Sequence, residues 1–276
     1  MREEYLSKVP EWYRSFEKFD VVLSDDIDGI VSTSALKFAK NWNVEYFYDF
    51  SKLYVSGKTY FKENKSATRV WADVAITRRE MTFDNHISRK NLGDKLNDLC
   101  INPNVITNVT NENYYDKYCG SSALLIWSLY NIPLPETELG KMLLLAIDTT
   151  FKGFYGYNNF KERNRFYICD VLGFEELYEV EKRHSREEFY DLIIKYNLGA
   201  KTTIDKDGYL HTDLDLDFIG KELGIELSIP TDKCFIEWRE LEEHKVNNFY
   251  GDVASIKRLI TLAYTGKNFV MYSTMA

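Results

Sequence analysis

The segment DVVLSDDIDGIVSTSALKFAKN, residues 20–41, constrains the fold more than any other. Its apolar start predicts a short buried strand over 20–24, and its second half predicts a helix over 30–41. Three acids and a glycine are crowded between them, at the carboxyl end of the strand. Strand and helix signals then alternate. "VEYFY" (44–48), "RVWADVA" (69–75) and "EMTFD" (80–84) read as strands, and "NPNVITN" (102–108) as a further one framed by turn residues. "GSSALLIWSLYNI" (120–132) reads as a buried helix with Ser121 or Ser122 as N-cap, and "ETELGKMLLLAI" as a helix closed by Asp148. The expectation is an α/β fold, a mostly parallel sheet flanked by helices. The texture changes to Tyr- and Asn-rich helices after about 150. From 201 a hairpin ("KTTIDKDGYLHT"), a helix ("LDFIGKELG"), a strand ("KCFIEW"), a helix ("DVASIKRLITLAY", 252–264) and a closing strand ("NFVMYS") follow. This predicts a main domain over 1–190 and a smaller α+β domain over 191–276.

Composition removes several function classes. No run approaches the eighteen apolar residues that span a bilayer, so no membrane association is expected. The start of the chain, "MREEYLSKVPEWYRSF", lacks the apolar core of a signal peptide. Cys100, Cys119, Cys169 and Cys234 form no CxxC pair, which disfavours a zinc ribbon and a disulfide framework and fits a reducing, cytoplasmic setting. A net charge of −8 disfavours a broad grip on polyphosphate. A phosphate-bearing substrate needs local help from metals or a few cations.

The acids supply a place for such help. In an open α/β sheet, ligands gather beyond the carboxyl ends of the strands. Asp26 and Asp28 fall there, as do Asp73 and the run Asp84, Asn85, His86, while Asp148 ends a helix. Hard divalent cations require several carboxylates, and an imidazole moves the preference towards Mn²⁺, so this set suits a two-metal site.

In order and spacing, "DDIDG", "WADVA", "FDNHI", "GSSALLIW" and "LLLAIDTTF" resemble the DHH superfamily of phosphoesterases, over about residues 20–152. That superfamily includes RecJ-type exonucleases, short-oligonucleotide nucleases, cyclic-dinucleotide phosphodiesterases and a class of pyrophosphatase. The resemblance implies two Mn²⁺ or Mg²⁺ ions, held by Asp26 and Asp28 as paired acids, Asp73 as bridge and Asp148 as last ligand. It implies that His86 faces the scissile phosphate and that Asp84 orients its neighbours. Asn85 stands where the family usually has a metal-binding His and is a candidate metal ligand through its amide oxygen, weaker than imidazole for Mn²⁺, and Val22 stands where several members carry another His. The family's glycine-rich substrate loop has no counterpart; "YTGKNF" (264–269) is the nearest turn. The activity implied is hydrolysis of phosphodiesters in short oligonucleotides or single-stranded ends, with Ser121, Ser122, Arg78 and Arg79 as candidate substrate contacts.

Two rival readings use the same residues. A haloacid-dehalogenase-type phosphatase also has an apolar strand ending in Asp-x-Asp-Gly, which makes Asp26 the nucleophile and Asp28 the acid/base, but it leaves Asp84-Asn85-His86 without a task. A decayed member of the DHH fold binds a nucleotide or partner without hydrolysis. "DKDG" (205–208) reads as a hairpin turn, since Leu216 stands where a calcium loop needs its last acid. His184, His211 and His244 are read as surface or packing residues. Lys182, Arg183 and Arg186 are read as a solvated helix junction that could alternatively hold phosphate, and rings in "YYDKY" and "FYGYNNF" as possible platforms for a base.

Overall fold

A computed structural model of the chain describes residues 1–61, 68–157, 159–249, 251 and 253–276. It is an α/β fold built on one nine-stranded sheet and a separate two-stranded hairpin. Five strands form a parallel core in the order β2-β1-β4-β5-β6: β1 (Asp20–Ser24), β2 (Asn43–Tyr48), β4 (Arg69–Ala72), β5 (Met81–Phe83) and β6 (Cys100–Ile101). Beyond β2 the sheet continues antiparallel through β3 (Lys52–Ser56), β9 (Phe235–Asn247), β11 (Phe269–Met275) and β10 (Leu259–Gly266). The small hairpin is β7 (Thr202–Ile204) with β8 (Leu210–Thr212), around the turn expected at 205–208.

β1 shows why the apolar run of a central parallel strand is unbroken. Val21, Val22 and Leu23 are all fully buried because both faces of the strand are covered. Val21 and Leu23 face the helical core with Ile27, Ile30 and Leu125, whereas Val22 faces a second cluster with Tyr48, Val55 and Trp71. The helix after β1 runs Ile27–Lys40, three residues earlier than expected, because Asp26 is its N-cap and accepts the Gly29 amide at 3.1 Å. Gly29 is required by a close approach: a Cβ there would lie 2.1 Å from Ser24 Oγ and 2.7 Å from the Ser24 carbonyl oxygen.

Two expected elements are corrected. The strand predicted over 102–108 is instead the helix Pro103–Ile106, because Asn102 caps it through the Asn104 amide (2.8 Å) and Pro103 occupies the first helical position. The helix predicted over 252–264 is a 3₁₀ turn, Val253–Ser255, followed by β10; residue 252 lies outside the described residues. Strand pairing with β11 overrides the helical reading of "LITLAYTG", burying Ile260, Leu262 and Tyr264 on alternate positions. β3 was not foreseen, and β9 is longer than the strand expected in "KCFIEW". The boundary expected at 190/191 falls inside the helix Arg186–Lys195, and the residues beyond it supply β9, β10 and β11 to the main sheet.

The sheet also curls. β10 reaches back across the segments that leave β4 and β5, where Leu262 donates to the Ala75 carbonyl (2.9 Å), Thr77 to Ile260 (2.9 Å) and Tyr264 to Ile87 (2.8 Å). This lays the last strands over the carboxyl ends of the parallel core. Among the described residues, no helix is long and apolar enough to cross a membrane.

Candidate active site

The helix Ser122–Leu129 organises the acids. Its first amides have no partner within the helix, and Asp28 receives two of them: Ser122 N–H at 2.8 Å and Ala123 N–H at 2.7 Å. Ser32 Oγ adds a third bond to Asp28 at 3.2 Å. Ser122 Oγ donates to Asp73 at 3.0 Å, so one serine holds a carboxylate from the first turn of the helix Ile27–Lys40 and one that follows β4. Asp148 accepts from the Asn85 side-chain amide at 2.7 Å, and the same amide nitrogen donates to the Gly120 carbonyl at 2.9 Å. Asp84 is fully buried; it accepts His86 Nδ1 at 2.8 Å, the His86 backbone amide at 3.1 Å and Asn102 Nδ2 at 2.9 Å. The Asn104 side chain, bonded to the Asn85 carbonyl at 2.8 Å, fixes the loop from below.

Asp73 (φ 60°) and Asp148 (φ 46°) both occupy the left-handed region, as does Thr149 (φ 55°). Non-glycine residues adopt this backbone at a cost that functional sites commonly carry. Here it turns two carboxylates into a shared interior space.

Electrostatics show how crowded that space is. Burial raises the pKa of Asp28 first, and the charges of Asp148 and Asp26 raise it further. Asp73 is raised well above its ordinary value, by burial and then by Asp28, Asp26 and Asp148. Asp148 is raised as well, by burial ahead of all else, with His86 working against the shift. Burial opposes the charging of His86, but the bond to Asp84 and the charges of Asp84 and Asp148 outweigh it and raise its pKa. Two lysines work against this crowding: Lys117, whose charge acts on Asp148, and Lys201, which pairs with Asp25 (2.8 Å) and Asp26 (3.3 Å).

The donor set fits a divalent ion in charge and in kind. Asp26, Asp28, Asp73 and Asp148 offer hard oxygen donors, and a cation would relieve their mutual repulsion. Asn85 Oδ1 is a buried acceptor without a hydrogen-bond partner among the described residues, while its amide nitrogen occupies Asp148. The fit is not a finished cage, since among the described residues no three His, Cys, Asp or Glu side chains are set together as a metal-ion site.

Two cavities meet at the cluster, and both are lined by His86 and Asp148. A chamber of about 140 Å³ lies under the curled strands, walled by Tyr48, Phe50, Thr261, Met271 and Tyr272 and floored by Asp26 and Asp73. On the helical side, a cleft of about 520 Å³ is lined by Lys117, Lys152, Arg186, Tyr157 and Phe160.

Of the expected substrate contacts, none lines either of these two cavities. Ser121 is fully buried as the N-cap that accepts the Leu124 amide (3.0 Å), and Ser122 is fully buried against Asp28 and Asp73, so both position the acids. Arg78 donates to the Leu259 carbonyl (3.2 Å) and Arg79 pairs with Asp98 (3.1 Å); neither lines the two cavities. Of the junction cations, Lys182 pairs with Glu179 and Arg183 with Glu138, and Arg186 alone lines the cleft. Asn102, Asn104, Lys117, Lys152 and Lys201 were not anticipated. "NPN" carried a usable signal, a capping Asn before Pro; for the three lysines only tertiary packing supplies one. Compared with protein-family models, curated proteins and solved structures, the chain finds no match.

Proposed function

We propose that the chain is a divalent-metal-dependent phosphodiesterase of the DHH type that hydrolyses short oligonucleotides. The observation that carries this reading is that His86 and Asp148 line both cavities and Asp73 one of them, with Asp28 tied to Asp73 through Ser122 and Asp84 bonded behind His86. Asp26, Asp28, Asp73 and Asp148 would hold Mn²⁺ or Mg²⁺, which when bound supplies an activated water and neutralises charge on the phosphate. Asp28 and Asp73 are kept in place by Ser122, and the helix end behind it favours negative charge there. Asn85 would restrain Asp148 through its amide N–H.

His86 has a separate task. Asp84 binds its Nδ1, which leaves Nε2 as the ring nitrogen not held by Asp84 on a residue that lines both cavities, and the raised pKa favours the protonated ring nearer neutrality. Nε2–H can hold a phosphoryl oxygen or pass its proton to the leaving oxygen. The dehalogenase reading is less well supported: Asp26, its nucleophile, is engaged by the Gly29 amide and Lys201, and Asp84–His86 has no part in it.

The test is hydrolysis by the purified full chain with Mn²⁺ or Mg²⁺ of a dinucleotide, a long single strand, a cyclic dinucleotide and pyrophosphate. The expected result is metal-dependent cleavage fastest on the dinucleotide and abolished by Asp73→Asn. Absence of metal-dependent cleavage on all four overturns the proposal.

A further inference from the structure

The acids of the cluster differ in what holds them. Asp28 accepts the Ser122 and Ala123 amides and the Ser32 hydroxyl, Asp73 the Ser122 hydroxyl, and Asp148 the Asn85 side-chain amide. These donors are all neutral, so they orient the three carboxylates and leave their charge in place. Lys117 acts on Asp148 through its field, without an ion pair among the described residues. Asp84 has His86. Asp25 and Asp26, by contrast, share an ammonium: Lys201 Nζ lies 2.8 Å from Asp25 Oδ1 and 3.3 Å from Asp26 Oδ2. The other oxygen of Asp26 accepts the Gly29 amide.

The backbone delivers Lys201 to this position. It immediately precedes β7, and the amide of the buried Thr202 donates to the Asp25 carbonyl at 2.6 Å. The hairpin is tied at its turn as well, where the Phe235 amide donates to the Gly208 carbonyl at 2.7 Å. An ion pair between free surface side chains contributes little, because ordering both of them offsets the attraction. Here the strand start fixes the stem of the lysine, and its one ammonium spans two carboxylates whose side chains are only 16% and 31% exposed. A further cation arriving at Asp26 would meet a positive charge already in contact with it. At Asp28, Asp73 and Asp148 it would meet no lysine or arginine in contact among the described residues. It would also find Asn85 Oδ1 there, a buried acceptor without a partner on a residue 7% exposed.

We infer that Lys201 takes the place of one of the two cations that the acid set otherwise suits: the site takes a single divalent ion on the side of Asp28, Asp73 and Asp148, and the Lys201 ammonium supplies the positive charge at Asp26. This rests on the metal-dependent reading above and specifies its metal content. Lys201 is a positioning residue, which holds Asp26 and offsets its charge. Because the ammonium is tethered, its contribution is independent of the free metal concentration, and capture of one ion completes the site.

The test is Mn²⁺ binding to the full chain at neutral pH by calorimetric titration, with electron paramagnetic resonance of the bound ion as a second readout. The wild-type chain is expected to bind one Mn²⁺ with the spectrum of an isolated ion, and any second ion on the order of a hundredfold more weakly. Lys201→Gln and Lys201→Met remove the charge at a half-exposed position and keep most of the stem. Both are expected to bind a second Mn²⁺ within about tenfold of the first in affinity and to show the spin-coupled spectrum of a close pair. Lys201→Arg keeps the charge and is expected to remain at one ion. Two ions of similar affinity in the wild type, a single ion in either folded neutral variant, or a second ion in Lys201→Arg overturns the inference. Hydrolysis is read separately. Absence of bound Mn²⁺ in every protein overturns the inference and the metal-dependent reading together, whereas the expected ion counts without cleavage of any phosphodiester uphold the role of Lys201 and overturn the phosphodiesterase.

Discussion

The acid cluster makes the metal-free protein a poor holder of its own charge, and its stability should report this. Asp28 has its pKa moved from 3.8 to about 8 by burial and by its acidic neighbours. For a group raised on folding, the sign runs against alkaline pH. Below 3.8 both states hold the proton and nothing is lost; between 3.8 and about 8 the unfolded chain ionises first; above 8 the full cost is present. The slope is about 1.4 kcal/mol per pH unit, so raising the pH from 5.5 to 8 removes on the order of 3 kcal/mol. For a chain of this size that is a fall of roughly 6 °C in melting temperature. Asp73 and Asp148, also raised, act in the same sense. His86 does too: its raised pKa gives stability that is present below its unfolded value and lost as pH rises through the folded one.

On the proposed function, Mn²⁺ would relieve the same repulsion without protons and so would compete with them for the carboxylates. The assay is thermal unfolding at pH 5.5 and pH 8, with excess chelator and with Mn²⁺. The chelated protein should lose stability with rising pH, and the gain from Mn²⁺ should be several degrees larger at pH 8. Asp73→Asn supplies the control: asparagine tolerates a φ of 60° and can still accept from Ser122 Oγ, while one charge is gone. That variant should be more stable than wild type at pH 8 in chelator and should gain less from Mn²⁺. A Mn²⁺ gain that is equal at both pH values, or undiminished in Asp73→Asn, would refute the reasoning.

Other residues make separable predictions. Asp84→Asn should lower kcat by about 10² with Mn²⁺ affinity retained, and move the His86 limb of the pH–rate profile to lower pH, since the Asp84 charge supports its proton; an unmoved limb would sever the pair from catalysis. Asn85→His should raise Mn²⁺ affinity on the order of tenfold in calorimetric titration, because imidazole is the better ligand for that ion; unchanged affinity would place position 85 away from the ions. Gly29→Ala should destabilise by roughly 2–3 kcal/mol in denaturant unfolding, from the clash with Ser24; a neutral result would mean the helix start can shift away from β1.

The parallel core was legible in the sequence because each central strand is short, apolar and closed by a polar residue that begins the next turn. Asp26, Asp28, Asp73, Asp84 and Asp148 could be singled out for the same reason, since each terminates an element whose period is visible. Residues with two good uses were less legible. Ser121 and Ser122 could be read as caps or as ligand contacts, and the structure uses one as a cap and the other to tie Asp28 to Asp73. "LITLAYTG" has no strong local preference, so its partner β11 decided its state. Lys117, Lys152 and Lys201 are ordinary lysines in sequence. Their significance comes from what they face: Asp25 and Asp26 for one, an open cleft for the other two.

The return of β10 across the ends of β4 and β5 bears on how the molecule assembles. Thr77 Oγ1 reaches the Ile260 carbonyl across 183 positions of sequence, and Thr202 closes on Asp25. Contacts this distant along the chain are entropically expensive to nucleate and form late. The parallel core can associate through nearer neighbours, but the strand-side chamber has no wall until β10 and β11 arrive. Competence to bind at this site should therefore appear in the slowest refolding phase, after most helical signal has recovered.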